Sequence, residues 1–141
     1  MTKTLLTALA LCAAALLPTA RADEPIKTVY HLNEGLPQAS RALGNIRNQL
    51  AADPTAQIVV VAHGAGIDFL LQDAKDAQGM LYAGAVGDLA NKGVQFRVCN
   101  NTLTQRGISP DRVLLEAKIV PSGVAEIARL QAREHYAYLK P

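Results

Sequence analysis

The feature that most constrains the fold is Ile58-Val59-Val60-Val61, four β-branched residues in a row. Strands that helices cover on both faces read as continuous apolar runs, whereas strands with one face in solvent alternate apolar and polar residues. Asp53-Pro54 precedes the run and Gly64-Ala65-Gly66 follows it, which limits it to the length of a strand. The sequence therefore predicts a buried strand over residues 57–62.

Strand and helix patterns alternate along the rest of the chain. Further strands are predicted over residues 26–32, 94–99 and 115–120, and residues 136–139 predict a short edge strand. Helical spacing predicts helices over residues 36–52, 67–72, 82–91, 100–106 and 123–135. This alternation with short connections predicts an α/β fold, with a mostly parallel sheet and helices on both faces.

The N-terminus has the pattern of a cleavable signal peptide over residues 1–22. Lys3 is followed by an apolar run from Leu5 to Leu17 that only Thr7 interrupts, and Ala20-Arg21-Ala22 is a signal peptidase motif. The run is shorter than the roughly 20 residues that span a bilayer. We therefore expect export to the periplasm, with a single domain over residues 23–141.

The charge balance excludes some classes of partner. The chain has 14 Lys and Arg against 12 Asp and Glu, a net charge of +2. Lys3 and Arg21 lie in the predicted signal peptide, so the rest of the chain is close to neutral. We expect no nucleic acid and no anionic membrane surface as an obligatory partner.

Cysteine use is the most informative part of the composition. Cys12 is removed with the predicted signal peptide, which leaves Cys99 without a partner in its own chain. An unpaired cysteine in an oxidising compartment forms an intermolecular disulfide, packs as an inert buried residue, or reacts. The cysteine count alone leaves these three alternatives open.

The placement of Cys99 favours a reactive thiol. The carboxyl ends of parallel strands share one edge of the sheet, where ligands bind. The residues expected at or just after those ends, as candidate catalytic or binding groups, are His31, His63, Gly64, Cys99, Asn100, Asn101 and Ser122. A nearby histidine or backbone N–H groups at a helix start stabilise a thiolate, and Asn100-Asn101-Thr102 are good capping residues for such a helix.

Three segments resemble the DsrE/DsrF-like family, and more narrowly its exported branch. They are Val61-Ala62-His63-Gly64-Ala65-Gly66, the segment from Gly93 to Leu103 that contains Cys99, and Val120-Pro121-Ser122-Gly123-Val124-Ala125-Glu126-Ile127. The closing Tyr138-Leu139-Lys140-Pro141 also fits, so the resemblance covers residues 26–141.

This resemblance implies a five-stranded parallel sheet in a three-layer α/β/α arrangement, and a homotrimer or homohexamer. In the best-understood members a cysteine carries sulfane sulfur, and Cys99 is the matching residue. The characterised relays act in the cytoplasm, so an exported chain needs a different sulfur donor and acceptor protein.

The leading interpretation is a periplasmic sulfur carrier or thiol relay, in which Cys99 is transiently persulfidated. The alternatives are a small-ligand or metal-binding module that uses Cys99, His63 and His31, or an oligomeric interaction protein whose cysteine only packs. No tight metal-ligand spacing is present, and we expect neither a metal nor a cofactor. The sequence leaves open whether the protein is an enzyme.

Overall fold

The computed structural model describes residues 24–141, so the predicted signal peptide lies outside the described residues. The strands are β1 (Lys27–Leu32), β2 (Gln57–Ala62), β3 (Gln95–Cys99), β4 (Ala117–Val120) and β5 (Ala137–Leu139). They form a five-stranded sheet of order β4-β3-β2-β1-β5, in which every neighbouring pair is parallel. This confirms the predicted fold class.

The helices fall close to their predicted positions. They are α1 (Leu36–Ala52), α2 (Tyr82–Asn91), α3 (Asn100–Arg106) and α4 (Gly123–Glu134), with 3-10 helices at Gly64–Leu70 and Pro110–Arg112. Within residues 24–141, no helix is long and apolar enough to cross a membrane.

Two elements differ from the sequence prediction by two residues or more, whereas β1, β3, β5 and α4 differ by one residue. The helix expected over residues 67–72 is a 3-10 helix that begins at Gly64, directly after β2. The strand expected over residues 115–120 begins only at Ala117, because the chain turns there: the Ala117 N–H donates to the Leu114 carbonyl. Leu115, at this turn, is 98% exposed, so its apolar side chain belongs to the turn and not to a buried strand.

The two faces of the sheet bury different sets of residues, since successive side chains of a strand point to opposite faces. Tyr30, Val60 and Phe96 belong to the larger apolar cluster, which also contains residues of α1, α2 and α3. Val29 and Val59 belong to a smaller cluster with α4. His31 and Cys99 share the odd-numbered parity of this second set, which places both on the α4 face of the sheet.

The turn after β2 depends on a glycine. A Cβ atom added at Gly66 would lie 2.2 Å from the Leu32 carbonyl oxygen and 2.4 Å from its carbonyl carbon. Both contacts are with backbone, so no side-chain rotation relieves them. Gly66 therefore lets the 3-10 helix pass directly against the end of β1, and this brings His63 beside His31.

Candidate functional site

Cys99 is the last residue of β3 and immediately precedes α3. Its side chain is 5% exposed and has no disulfide partner among residues 24–141. Asn100 and Asn101 were expected to cap the helix, but they lie inside α3 and are exposed, so the capping position belongs to Cys99. A residue at that position commonly accepts hydrogen bonds from the second and third N–H groups of its helix.

Donor groups from the starts of two helices influence the ionisation of the Cys99 thiol. Burial raises the pKa of the thiol, but hydrogen bonds from the backbone of Gly123, the side chain of Thr102, and the backbones of Thr102 and Asn101 lower it. The balance holds the pKa of Cys99 below its ordinary value of 9.0. We call this set of donors the thiol cradle. It stabilises negative charge on a sulfur atom that is largely shielded from water.

Thr102 connects the cradle to the turn after β2. The Gly64 N–H donates to Thr102 Oγ1 over 2.9 Å, which leaves the threonine hydroxyl hydrogen for Cys99. Gly64 has a φ of 56°, in the left-handed region that favours glycine. Arg106 fixes the same turn, because it donates to the Gly64 carbonyl over 3.2 Å and pairs with Asp68 over 2.6 Å.

The two histidines predicted at the sheet edge contact one another. His31 Nε2 and His63 Nε2 are 2.7 Å apart, and the rings stack with centroids separated by 4.9 Å. His31 Nδ1 lies 2.6 Å from the hydroxyl of Tyr138 in β5. We refer to His31 and His63 as the histidine pair. Three of its four ring nitrogens form one hydrogen-bonded chain that ends at Tyr138.

The surroundings of the histidine pair favour its neutral form. Burial is the first cause that lowers the pKa of each ring below the ordinary 6.5. The positive charge of Lys140 lowers both values further, and His63 lowers that of His31. At neutral pH the pair is therefore able to accept a proton.

Gly123 lies between the histidine pair and the thiol. A Cβ atom added to it would lie 3.1 Å from the Cβ of His63 and 3.2 Å from the Cβ of Cys99. Both residues thus flank the first residue of α4, and a side chain at Gly123 would require His63 or Cys99 to shift by a few tenths of an ångström. The neighbouring Ser122 accepts a hydrogen bond from the Ala125 N–H over 3.4 Å, so its hydroxyl caps α4.

The segment after α4 completes the edge of the site. Tyr138 reaches the histidine pair, and Lys140 forms an ion pair with Glu34 over 3.3 Å. The fully buried Gln38 donates to the Pro141 carbonyl oxygen over 3.2 Å. The sequence predicts a short strand here but not these contacts. Each contact joins residues more than 100 positions apart, and the pairing of β5 with β1 brings them together.

The structure brings His31, His63, Gly64 and Cys99 to one edge, next to the backbone of Asn101 and to Ser122. The predicted functional roles of these residues remain predictions, and the exposed Asn100 side chain has no described part in the cradle. Among residues 24–141, no group of three His, Cys, Asp or Glu residues is arranged to hold a metal ion. The 2.7 Å between the two Nε2 atoms is a hydrogen-bond distance.

Comparison with known proteins places the chain among others of this fold. A model of the DsrE/DsrF-like family matches residues 10–141. MTH1491, a protein of unknown function from Methanobacterium thermoautotrophicum, has 33% sequence identity and a TM-score of 0.74, over 82% of this chain and 99% of that one. The ychN protein from E. coli has 16% identity and a TM-score of 0.65 over the same shares, a likeness of fold alone. No curated protein matches.

Proposed function

This chain belongs to the DsrE/DsrF-like family, and we propose that it is a sulfur carrier in which Cys99 holds a sulfane sulfur as a persulfide. The observation that supports this most strongly is the thiol cradle. Donors from the starts of α3 and α4 lower the pKa of a buried, unpaired cysteine. A cysteine that only packs in a core gains nothing from such donors, whereas a nucleophilic thiolate depends on them.

The loading step needs no oxidant or reductant beyond the donor persulfide. The Cys99 thiolate attacks the outer sulfur of the donor, and a new sulfur–sulfur bond forms at Sγ. The bond between the donor's two sulfurs breaks, and its electron pair stays on the donor as a thiolate. Two anions react and two anions result, so the donors around Cys99 offset the repulsion of bringing both charges together.

We further propose that the protein works in the periplasm as a homotrimer or homohexamer. The N-terminal sequence supports export, and the family resemblance supports assembly. Sedimentation of the purified protein should give a mass three or six times that of the chain, whereas a monomer would contradict the proposed assembly. The donor and acceptor proteins would then also be exported or exposed to the periplasm.

The test of the carrier function is sulfur uptake. The purified protein is incubated with glutathione persulfide, separated from it, and examined by intact-mass spectrometry. We expect one added sulfur that peptide mapping locates on Cys99 and that a reductant removes. The Cys99→Ser variant should gain none. A wild-type protein that stays unmodified across neutral and mildly alkaline pH would refute the proposal.

A further inference from the structure

The histidine pair has no part in holding the thiolate. The groups that lower the pKa of Cys99 are backbone and hydroxyl donors, and neither imidazole is one of them. The pair is nevertheless built as a unit, with stacked rings and an Nε2 to Nε2 distance of 2.7 Å. Its proton-binding capacity is therefore available for a different step at the same sulfur.

Resting on the proposed carrier function, we infer that the histidine pair accepts the proton of the incoming thiol when Cys99 passes its sulfur to an acceptor. The cradle and the pair then have separate tasks. The cradle stabilises the Cys99 thiolate as it leaves, and the pair supplies the base that makes the acceptor nucleophilic. The acceptor is thus a thiol of ordinary acidity, such as the cysteine of a partner protein.

The unloading step balances with these groups alone. The acceptor thiol gives its proton to His63 Nδ1, and its sulfur attacks the outer sulfur of the Cys99 persulfide. The bond from that sulfur to Sγ breaks, and its electron pair remains on Cys99. One neutral thiol, one Cys99 persulfide anion and the neutral histidine pair become an acceptor persulfide anion, a Cys99 thiolate and a singly protonated histidine pair, so the total charge stays at −1.

The geometry places His63 beside Cys99. Cys99 and His63 both contact the position of Gly123, with Cβ distances of 3.2 Å and 3.1 Å from one point. A persulfide extends the cysteine by one sulfur–sulfur bond of about 2.05 Å. The His63 ring atom nearest to that point is Cδ2, at 3.5 Å, so Nδ1 lies on the other edge of the ring. Nδ1 is the ring nitrogen of the pair that the chain to Tyr138 does not use, and an acceptor thiol that approaches from that edge meets it.

The accepted proton has a path away from the sulfur. His63 can pass a proton through its Nε2 to His31 Nε2, and His31 Nδ1 faces the hydroxyl of Tyr138. Tyr138 is 41% exposed, so this chain connects the site to solvent. Each transfer exchanges the hydrogen of one short hydrogen bond, and no side chain has to move.

Charged groups lie on two sides of the histidine pair. On the β5 side, Lys140 disfavours a charged histidine pair, and Glu34 is its ion-pair partner. On the β3 and α4 side is the Arg97–Glu126 ion pair. Arg97 is in register with Val61, and Val61 with His31, so this ion pair lies on the same sheet face as the histidine pair. Cys99 itself changes from persulfide to thiolate during the step and remains an anion throughout.

The experiment compares discharge to two acceptors. The protein is loaded with sulfur on Cys99, and the loss of that sulfur is followed by intact mass after addition of N-acetylcysteine or thionitrobenzoate. The alkyl thiol is only a few per cent ionised at neutral pH and needs a base, whereas the aromatic thiol is already ionised. The variant is His63→Asn, and the control is His135→Asn, at an exposed helix end with a left-handed φ of 59° that asparagine tolerates.

We expect His63→Asn to slow discharge to N-acetylcysteine about 10-fold at pH 7 and to leave discharge to thionitrobenzoate nearly unchanged. The deficit should fade above pH 9, where the alkyl thiol ionises without help. Tyr138→Phe, which removes only a hydroxyl at the surface, should shift the ratio of the two rates in the same direction. His135→Asn should behave as wild type.

Two results would overturn the inference in distinguishable ways. If the two variants leave both rates at their wild-type values, the pair is not the base for the acceptor. If both rates fall equally in His63→Asn, the pair supports the structure around Cys99 and not the incoming thiol. Failure of the carrier proposal itself would appear earlier, since Cys99 would take up no sulfur.

Discussion

At the scale of single residues, the pKa of Cys99 depends on donor groups at the starts of α3 and α4. The cysteine occupies the capping position of α3, where serine, threonine, asparagine or aspartate would ordinarily accept the helix N–H groups. Donors near a sulfur atom at this position favour its anionic form and lower the pKa of Cys99. Thr102 adds a hydroxyl donor and also accepts from the Gly64 N–H, so one side chain links the thiol to the turn after β2.

Thr102→Val should weaken the thiolate while keeping the shape of the side chain. The change removes a donor to Cys99, so the pKa of the thiol should rise and alkylation at neutral pH should slow. It also leaves the Gly64 N–H without its acceptor, which should cost about 1 to 3 kcal/mol of stability. Thr104→Val, at an exposed position of the same helix, is the matched control. Equal alkylation rates in both variants would contradict the role of Thr102.

At the scale of elements, the site exists because the 3-10 helix after β2 packs against the end of β1. This packing brings His63 to His31 and lets Thr102 reach Gly64. Gly66 makes the approach possible, because any residue with a Cβ atom at this position would overlap the Leu32 carbonyl group. The position of this helix therefore determines the geometry of the whole edge.

Gly66→Ala should destabilise the protein strongly. The added methyl group meets backbone at 2.2 Å, and overpacking of this kind costs about 3 kcal/mol or more because the chain itself must shift. The matched control is Gly44→Ala in α1, where a Cβ meets nothing within 4 Å and should stabilise the helix by up to about 1 kcal/mol. Chemical denaturation measures both changes, and similar values for the two variants would contradict this packing.

At the scale of the whole molecule, two groups of titrating residues connect stability to pH. Burial holds the pKa of both histidines of the pair below 6.5, so the unfolded chain binds protons more readily. Stability should therefore fall as pH drops through 6.5. A hydrogen bond from Arg129, opposed by burial and aided by Arg97, holds the pKa of Glu126 below 4.5. That carboxylate contributes stability above pH 4.5, which is lost as pH falls further.

Glu126→Gln should remove the loss of stability below pH 4.5 that the Glu126 carboxylate causes. At neutral pH the variant should be about 1 to 3 kcal/mol less stable, because Arg97, whose side chain is 14% exposed, loses its ionised partner. Below pH 4.5 its stability should change less with pH than that of the wild type. Glu116→Gln, at an exposed position, should stay within about 0.5 kcal/mol of wild type. Thermal unfolding between pH 3 and pH 8 tests both expectations, and parallel curves below pH 4.5 would contradict them.

The sequence predicts the fold well because its patterns are local. The apolar run at β2 and the helical spacing of α1 identify buried elements without knowledge of their neighbours. The strand ends likewise identify His31, His63 and Cys99 as residues that meet. The contacts of Tyr138 and Lys140 could not be predicted this way. They depend on the pairing of β5 with β1, two strands that lie at opposite ends of the described sequence. The prediction that Asn100 and Asn101 cap the helix was also wrong. Asparagine is a common capping residue, but here both lie within α3 and Cys99 occupies the capping position.

The central claim is that Cys99 is held as a thiolate in the folded protein. The most direct measurement is the rate of Cys99 alkylation against pH under native conditions, with intact-mass detection. We predict labelling without unfolding and an apparent pKa below that of an ordinary thiol, in line with the donors around Sγ. Labelling that appears only when the protein unfolds, or an apparent pKa at or above the ordinary value, would contradict the account.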